Sequence, residues 1–356
     1  MKKINILLIS DQSLPNLLFI KEWKADAYIF ITTEAMEKKQ KSVHLIKGAR
    51  LAESNVHKIV VDGDDTSLIL QALSQEFEAY TENIYFQINL TGGTKMMSLA
   101  TYAFFSSNEN CEFWYKPATQ DLWTSVNKAF DDRNIKYQCT LWEYLTIYGL
   151  EMVEKGEPIW NSQKAWQVYH EFKKVGFDKH NYSHIKDAHT KGSAENRSYY
   201  GGGWFEDLMY YVMQEELSLG DDYLAYNVKL HKVGKESDAD YDNEFDIMFM
   251  NNNRLFVIEG KATLPFKNPD KVAEAALYKL AALKSYFGLF ASTCLVSLGQ
   301  FSNKKNIERR SRLLGLKEPL DNTKIGNKGH MIKKLMEFAG IKIKTENNIN
   351  VNTLHS

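Results

Sequence analysis

The sequence has 356 residues, more than one hydrophobic core usually holds, so we predict two domains. Hydrophobic residues make up 44% of it and charged residues 25%, with only 6 prolines, which excludes an intrinsically disordered chain. The formal net charge of -1 excludes attraction of nucleic acid by the field of the whole molecule, so a polyanionic partner would need local basic patches.

The cysteines and the N-terminus bear on the compartment. Cys111, Cys139 and Cys294 are far apart and form no CxxC pair, which argues against a disulfide framework or a zinc knuckle. Asn5 and Asp11 interrupt the N-terminal apolar run before a signal-peptide core is complete, and no apolar stretch approaches the roughly 20 residues of a membrane helix. We expect a cytoplasmic protein with no membrane segment.

The first third of the chain alternates apolar bursts with amphipathic stretches. The bursts are INILLIS, AYIFIT, VHKIVVD, NIYFQINL and CEFWYK. The helical stretches between them run through Trp23 and cover 34–47, 66–79 and 94–107. Continuous apolar strands separated by helices indicate a parallel sheet covered on both faces. We therefore predict a doubly wound, Rossmann-like α/β domain over 1–135, with a hairpin at Pro117 on the sheet edge.

The segment INLTGGTKMM at 88–97 joins the fourth strand to the next helix. It places these residues at the junction: Asn89, Thr91, Gly92, Gly93, Thr94, Lys95 and Met96. Open parallel sheets bind ligands at the carboxyl ends of their strands, and a glycine turn that opens a helix offers N–H groups to an anion. The spacing matches neither the dinucleotide fingerprint GxGxxG nor the GxxxxGK[ST] loop, so neither NAD nor ATP is supported.

The carboxyl ends of the parallel strands form one edge of the sheet, which we call the rim. Further polar residues are expected on this rim because they end the first two strands: Ser10, Asp11, Gln12, Thr32 and Thr33. Their convergence with the glycine loop favours a ligand site. The alternative is that Gly92 and Gly93 only make a tight turn and Thr94 only caps a helix.

An α/β domain with [NS]xTGGTKxM after its fourth strand resembles the CARF domain (CRISPR-associated Rossmann fold) of type III CRISPR ancillary proteins, here over roughly 1–130. The resemblance implies a homodimer that binds a cyclic oligoadenylate, which we expect to be cyclic tetra-adenylate, across its two-fold axis. It implies that Thr91 to Lys95 cradle the phosphates and riboses of the ring, with Ser10, Asp11 and Thr33 as further contacts. Whether this domain also degrades its ligand stays open.

A partly helical connector is predicted over 136–195, with helices around LWEYLTIYGLEMV and QKAWQVYHEFKKV and an exposed loop over 176–203. Four histidines lie in this part of the chain: His170, His180, His184 and His189. A structural zinc site is one interpretation of them, and the polar composition around them favours the other, an exposed loop.

A second α/β domain is predicted over 196–345, followed by a polar tail over 346–356. Its elements are expected in the order helix, three strands, helix, strand. Their predicted ranges are 204–217, then 223–231, 243–250 and 254–261, then 269–287 and 290–297.

Two of these strands, NEFDIMFMNNNRLFVIEGKAT at 243–263, carry charged residues. Alternation in a strand places Glu259 and Lys261 on one face, and Glu244 and Asp246 on one face of the neighbouring strand. One surface could therefore gather all four. The alternative is that such residues only mark the polar face of a half-exposed sheet. That alternative explains Glu259 and Lys261 poorly. These two residues close the strongly apolar strand RLFVIE, where a charged side chain is costly unless it has a function.

Phosphodiester cleavage needs acidic oxygens that hold a hard divalent cation, Mn²⁺ or Mg²⁺, to polarise the phosphate and lower the pKa of the attacking water. We predict Asp246, Glu259 and the carbonyl of Gly260 as the ligands. A glycine is permitted at position 260 because the side chain there points away. Lys261 would orient the water or neutralise the developing charge. Glu206, near the start of the preceding helix, is a further candidate, directly or through water.

D-x(12)-ExK behind a helix that bears a glutamate resembles the PD-(D/E)xK nuclease superfamily, here over roughly 200–300, which implies a restriction-endonuclease-like α/β domain. The chain departs from the name in having Phe245 before Asp246 and no proline. The two halves together resemble CARF–nuclease fusions that cyclic oligoadenylate activates. This implies a metal-dependent endonuclease that cleaves DNA or RNA in antiviral defence.

Two further points concern nucleic acid. A basic run on a probable helix would follow a phosphate backbone or simply form a solvated face: Lys304, Lys305, Arg309, Arg310 and Arg312. The alternative to a nuclease is a ligand-gated, nucleic-acid-binding regulator whose nuclease-like domain is catalytically weak.

Overall fold

The structure is a computed structural model. It describes residues 1–78, 80, 83–174, 176–177, 199–234, 243–262 and 269–341. Residues 178–198 of the loop predicted over 176–203, with three of the four histidines, and the predicted tail lie outside these residues. In the described part of the chain no helix has the length and apolar character needed to cross a membrane. The cytoplasmic location stays a prediction.

The first domain is a doubly wound α/β domain, as the sequence predicts. Its strands are β1 (Lys2–Leu8), β2 (Ala27–Thr32), β3 (Val56–Val60), β4 (Ile84–Asn89), β5 (Cys111–Tyr115), β6 (Leu122–Ser125) and β7 (Arg133–Asn134). Its helices are α1 (Leu14–Glu22), α2 (Glu34–Lys38), α3 (Lys41–Ala49), α4 (Thr66–Phe77) and α5 (Lys95–Phe105). The sheet order is β3-β2-β1-β4-β5-β6-β7. Strands β1 to β5 are parallel, and β6 and β7 form the antiparallel edge.

The direction of the crossover connections reverses between β1 and β4, and open parallel sheets commonly bind ligands at such a switch point. The glycine loop follows β4, and Ser10 to Gln12 follow β1, so the topology puts both on one rim.

One predicted helix is two in the structure. Gln40, with a left-handed φ of 55°, separates α2 from α3, whereas the sequence predicts a single helix over 34–47.

The connector and the second domain contain the remaining elements. The helices are α6 (Leu141–Ile147), α7 (Ser162–Lys174), α8 (Trp204–Leu217), α9 (Pro269–Lys284), α10 (Lys304–Leu313), α11 (Asn322–Ile325) and α12 (Lys328–Phe338). The strands are β8 (Leu150–Gly156), β9 (Leu224–Lys232), β10 (Asn243–Asn251), β11 (Arg254–Lys261) and β12 (Ala291–Ser297). The sheet order is β12-β11-β10-β9-β8, in which only β11 and β12 are parallel. The predicted order of helix, three strands, helix and strand is confirmed.

The helix predicted through LWEYLTIYGLEMV is wrong in its second half. α6 ends at Ile147, and Gly149, with a φ of 75°, turns the chain into β8 at the edge of the second sheet. A side chain is disfavoured at Gly149, because a Cβ there would lie 2.7 Å from Nε2 of His44. The second sheet therefore begins inside the predicted connector, and the domain bounds stay predictions.

Each face of the second sheet packs against a different core. One face packs against α7, α8 and α12, with Trp204 and Phe205 fully buried. The other face packs against α9 in a core that continues without a break into the first domain. That core includes Phe19 and Trp123 of the first domain, Tyr144 of α6 and Leu280 of α9. The two domains thus share a large apolar contact.

Candidate functional site

The glycine loop after β4 sits against the end of β1. A Cβ at Gly92 would lie 1.9 Å from the main-chain oxygen of Leu8, so no other residue fits without moving the backbone. Gly93 has a φ of 69°, in the left-handed region that favours glycine. Thr94 caps α5 by accepting a hydrogen bond from the N–H of Met97 at 3.1 Å. The loop therefore presents the start of α5 at the rim with little freedom.

Buried amides hold this loop from below. Asn89 is 0% exposed, donates to Oδ1 of Asn16 at 2.8 Å and accepts from the hydroxyl of Thr91 at 2.6 Å. Asn16 in turn donates to the main-chain oxygen of Leu8 at 2.8 Å. Sequence reasoning missed Asn16, although a buried asparagine in the apolar run of α1 signals a polar partner. Asn89 and Asn16 position the loop and lie below its surface.

The other predicted ligand residues are spread along the rim. Ser10 and Thr33 are partly exposed, and Lys95 and Met96 are exposed at the first turn of α5. Thr33 lies close to the loop, since a Cβ at Gly63 would meet the methyl groups of Thr33 at 3.1 Å and Thr94 at 3.3 Å. The structure thus brings Thr33, Thr94 and the glycines together.

Three predicted ligand residues are committed to other contacts. Thr32 is 0% exposed and donates to Oε1 of Glu37 at 2.8 Å. Asp11 pairs with Lys39 at 3.0 Å. Gln12 accepts from the main-chain N–H of Leu289, in the second domain, at 2.9 Å. Their assignment to the ligand stays a prediction.

The second constellation lies in a fork between β10 and β11. Main-chain pairing of these strands ends at Ile247 and Ile258. Beyond that point Asp246 Oδ2 accepts the N–H of Gly260 at 2.6 Å, so a side chain replaces the ladder bond. Phe245 belongs to the core under α9 and Ile247 to the core under α8, so the alternation of β10 changes face at Asp246. The sequence predicts all four charged residues on one regular face, whereas in the structure Asp246, Glu259 and Lys261 meet at a split end of the sheet and the side chain of Glu244 is exposed.

Asp246, Glu259 and Lys261 meet in this fork. The ammonium of Lys261 lies 2.8 Å from Oε1 of Glu259 and 3.7 Å from Oδ2 of Asp246. Glu259 is only 3% exposed, so its charge is weakly screened by water. Although burial alone would lower it, the carboxylates of Asp246 and Glu259 raise the pKa of Lys261, which keeps the side chain charged.

Glu206 reaches the fork from α8. An ideal Cβ built on Gly260 would lie 3.6 Å from both Cγ of Glu206 and Oδ2 of Asp246, so both side chains border Gly260. Burial, with the nearby charge of Asp246, raises the pKa of Glu206 to about 8. Burial and the charge of Glu259 raise the pKa of Asp246 to about 6. The fork therefore concentrates negative charge that its own lysines do not fully balance.

Three residues near the fork, Glu244, Gly260 and Asp207, make different kinds of contact. Glu244 is exposed, and its main-chain oxygen accepts a hydrogen bond from Lys279 at 2.9 Å. Gly260 faces away from Glu259, but toward Met209, whose Cε would lie 2.3 Å from a Cβ there. Asp207 is fully buried and accepts the N–H of Trp160 at 3.1 Å, so it holds the connector against α8.

Lys279 on α9 is a member of the fork that sequence reasoning missed. Its ammonium lies 3.1 Å from both carboxylate oxygens of Glu259. A signal was present in the sequence. Lys279 stands between Ala276 and Leu283 at helical spacing, in a stripe whose other members are buried, and a charge in such a stripe calls for a partner.

The donor set of the fork fits a hard divalent cation. Glu206, Asp246 and Glu259 offer only oxygen, which Mg²⁺ and Mn²⁺ prefer, and the raised pKa values of Glu206 and Asp246 mark charge that a cation would balance. Within the described ranges no three acidic, histidine or cysteine side chains stand at metal-ligand spacing. In this structure the oxygens of Glu259 are shared with Lys261 and Lys279 instead.

The basic run on α10 divides into two groups. Lys304 pairs with Asp321 at 3.6 Å and Arg310 with Glu274 at 3.1 Å, so these two charges are used within the domain. Lys305, Arg309 and Arg312 are exposed. Only the exposed group has the freedom to meet a phosphate backbone.

Two family models match the chain. The model described as the Card1 CARF domain matches residues 4–144, which include the first sheet and the glycine loop. The model described as the Card1-like endonuclease domain matches residues 193–331, which include α8 and the fork. No curated protein matches by sequence.

Solved structures show the same fold along most of the chain. Protein VC1899 from Vibrio cholerae is 19% identical with a TM-score of 0.74, over 95% of this chain and 98% of its own. Can2 from Sulfobacillus thermosulfidooxidans, solved in complex with cyclic tetra-adenylate, is 17% identical with a TM-score of 0.70, over 95% of this chain and 99% of its own. A type III CRISPR defence DNA nuclease activated by cyclic oligoadenylate is 14% identical with a TM-score of 0.56, over 83% of this chain and 45% of its own.

Proposed function

This chain belongs to the family that joins a CARF domain to a Card1-like endonuclease domain, and on that premise we propose that it is a nuclease switched on by a cyclic oligoadenylate. The proposed activator is cyclic tetra-adenylate, and the proposed substrate is DNA or RNA in type III CRISPR antiviral defence. The observation that carries the proposal is the fork, where the ammonium of Lys261 lies within 3.7 Å of the carboxylates of both Asp246 and Glu259, in a domain fused to the glycine-loop sensor.

The cutting centre supplies binding groups from two strands and a helix. When bound, Mn²⁺ or Mg²⁺ would polarise the scissile phosphate and lower the pKa of the attacking water. Asp246 and Glu259 would hold the ion, and the N–H of Gly260 keeps Asp246 oriented for this. Lys261 keeps a positive charge beside both carboxylates, where it can stabilise the negative charge that develops on the phosphate.

The sensor would bind its ligand at the rim of the first sheet. The loop from Thr91 to Lys95 offers main-chain N–H groups at the start of α5, and Lys95 adds an exposed charge. Support also comes from Can2, which has a similar fold and was solved with cyclic tetra-adenylate. We further propose a homodimer with the ring on its two-fold axis, so that each loop meets half of the ligand.

The test is a cleavage assay on single- and double-stranded DNA and RNA, with Mn²⁺ or Mg²⁺, across a panel of cyclic oligoadenylates. Cleavage should rise on adding cyclic tetra-adenylate and stop when the divalent cation is chelated. Cleavage that no cyclic oligoadenylate changes would refute the regulatory part. Ligand binding without any cleavage would instead support a ligand-gated nucleic-acid-binding regulator.

A further inference from the structure

Lys279 contacts the cutting centre from outside the strands that define it. Its ammonium lies 3.1 Å from each oxygen of Glu259 and 2.9 Å from the main-chain oxygen of Glu244. Glu259 also pairs with Lys261 at 2.8 Å. Both oxygens of this buried carboxylate are therefore held by ammonium groups.

An ammonium group in this position competes with a divalent cation. Both need the same oxygens of Glu259, and their positive charges repel each other at short range in a poorly screened site. Lys261 belongs to the strand that carries Glu259 and moves with it. Lys279 belongs to α9 and can leave Glu259 only if the helix or its own side chain moves.

The end of α9 is tied to the sensor domain and its neighbour α6. The chain after α9 accepts the Tyr144 hydroxyl at the main-chain oxygen of Phe287, at 2.7 Å. The N–H of Leu289 donates to Oε1 of Gln12 at 2.9 Å. Gly288, with a φ of 74°, lies against Tyr148, whose ring would be 2.5 Å from a Cβ there. Gln12 follows β1 on the rim, so α9 connects the proposed ligand site to Glu259.

We propose that Lys279 is a positioning residue that withholds Glu259 from the divalent cation, and that a ligand on the rim releases it by shifting α9 through the joint contacts of Gln12, Tyr144 and Tyr148 with residues 287–289. This inference rests on the proposed function and adds its regulation. By linkage, a ligand that releases Glu259 must tighten cation binding, and the cation must tighten ligand binding by the same factor.

The experiment measures Mn²⁺ binding to the full-length protein without nucleic acid, by electron paramagnetic resonance of free Mn²⁺, with and without cyclic tetra-adenylate. Removing the two hydrogen bonds from Lys279 to Glu259 and one repulsive charge should make K279M bind Mn²⁺ about tenfold tighter than the unmodified protein. In the unmodified protein the cyclic ligand should produce a similar tightening. In K279M the ligand should produce none.

Matched variants keep the result interpretable. K284M removes a lysine of the same helix that binds the main-chain oxygen of Gly315, and it should leave Mn²⁺ affinity unchanged. K279Q repeats the loss of charge with a polar side chain, should K279M fold poorly. Mn²⁺ binding by K279M and K279Q that is unchanged or weaker, or that still needs the ligand to tighten, overturns the inference.

E259Q separates the inference from the function on which it rests. If E259Q and the unmodified protein bind Mn²⁺ equally, the fork is no cation site and the proposed metal-dependent function fails. If E259Q loses binding while the Lys279 variants do not tighten it, the cation site stands and only the role of Lys279 is refuted.

Discussion

The rim of the first sheet depends mainly on tight packing of the main chain, whereas the fork of the second sheet depends mainly on charged side chains. At the rim the decisive groups are main chain and neutral, and Gly92 leaves no room for a single methyl group beside Leu8. At the fork the decisive groups are charged, and Gly260 faces the flexible end of Met209. A change of shape should therefore impair ligand binding at the rim, and a change of charge should impair cleavage at the fork.

The largest effect should come from removing charge at the fork. Changing both Glu259 and Lys261 to alanine removes a predicted cation ligand and the positive charge beside the phosphate. Cleavage should fall by about 10³-fold or more, measured as the initial rate with activator present. Binding of cyclic tetra-adenylate, measured by calorimetry, should persist. Substantial cleavage by the double variant would rule out the fork as the cutting centre.

The next effect should come from adding a methyl group at the rim. Gly92→Ala places a Cβ 1.9 Å from the main-chain oxygen of Leu8, so the loop must shift. We expect about 1–3 kcal/mol of lost stability and activator affinity lower by about tenfold, measured by thermal melting and calorimetry. The matched control is Gly220→Ala, because a Cβ at Gly220 meets nothing within 4 Å. If the Gly92 variant binds the activator normally, the loop is not the ligand site.

A smaller effect should come from removing the hydroxyl of Thr91, the first residue of the loop. Thr91 donates to Oδ1 of Asn89 at 2.6 Å and accepts the N–H of Lys116 at 2.8 Å. Thr91→Val keeps the shape and loses both bonds, so stability should fall by about 1–2 kcal/mol. Activator affinity should fall by a few-fold in the same titration, with Mn²⁺ binding unchanged. An equal loss of Mn²⁺ affinity would contradict the separation of the two sites.

The smallest effect should come from the contact between the domains. Gln12→Ala removes one neutral hydrogen bond to Leu289, worth about 1 kcal/mol. Activation by the ligand, taken as the ratio of cleavage rates with and without it, should change by less than about tenfold. The melting temperature of the protein should hardly change. A complete loss of activation would mean that this contact carries far more coupling than one hydrogen bond allows.

The sequence predicts the elements of this fold well where periodicity is strong. The alternation of apolar strands and helices up to Tyr115 predicts every parallel strand of the first sheet, and the pattern from 223 to 297 predicts four of the five strands of the second sheet, all but β8. It fails at Gly149, where a left-handed glycine ends a helix inside an apolar pattern that suits either element. A single left-handed residue, Gln40, likewise divides one predicted helix.

The candidate site is predictable only in part. ExK spacing brings Glu259 and Lys261 together because they are neighbours on one strand. The split of β10 from β11 depends on the tertiary position of Asp246 and has no local signature. The helical stripe of α9 marks Lys279 as a charge that needs a partner, but how α9 packs on the sheet decides that this partner is Glu259, and the sequence does not show that packing.

The core that joins Phe19 and Trp123 to Leu280 has a consequence for dissecting this protein. A chain whose halves share one apolar interior should melt in a single cooperative transition and not in two. Cutting it between residues 135 and 136 would leave α9 and α6 with bare apolar surface, and each fragment would be prone to self-association. Fragments of this protein are therefore poor stand-ins for its parts.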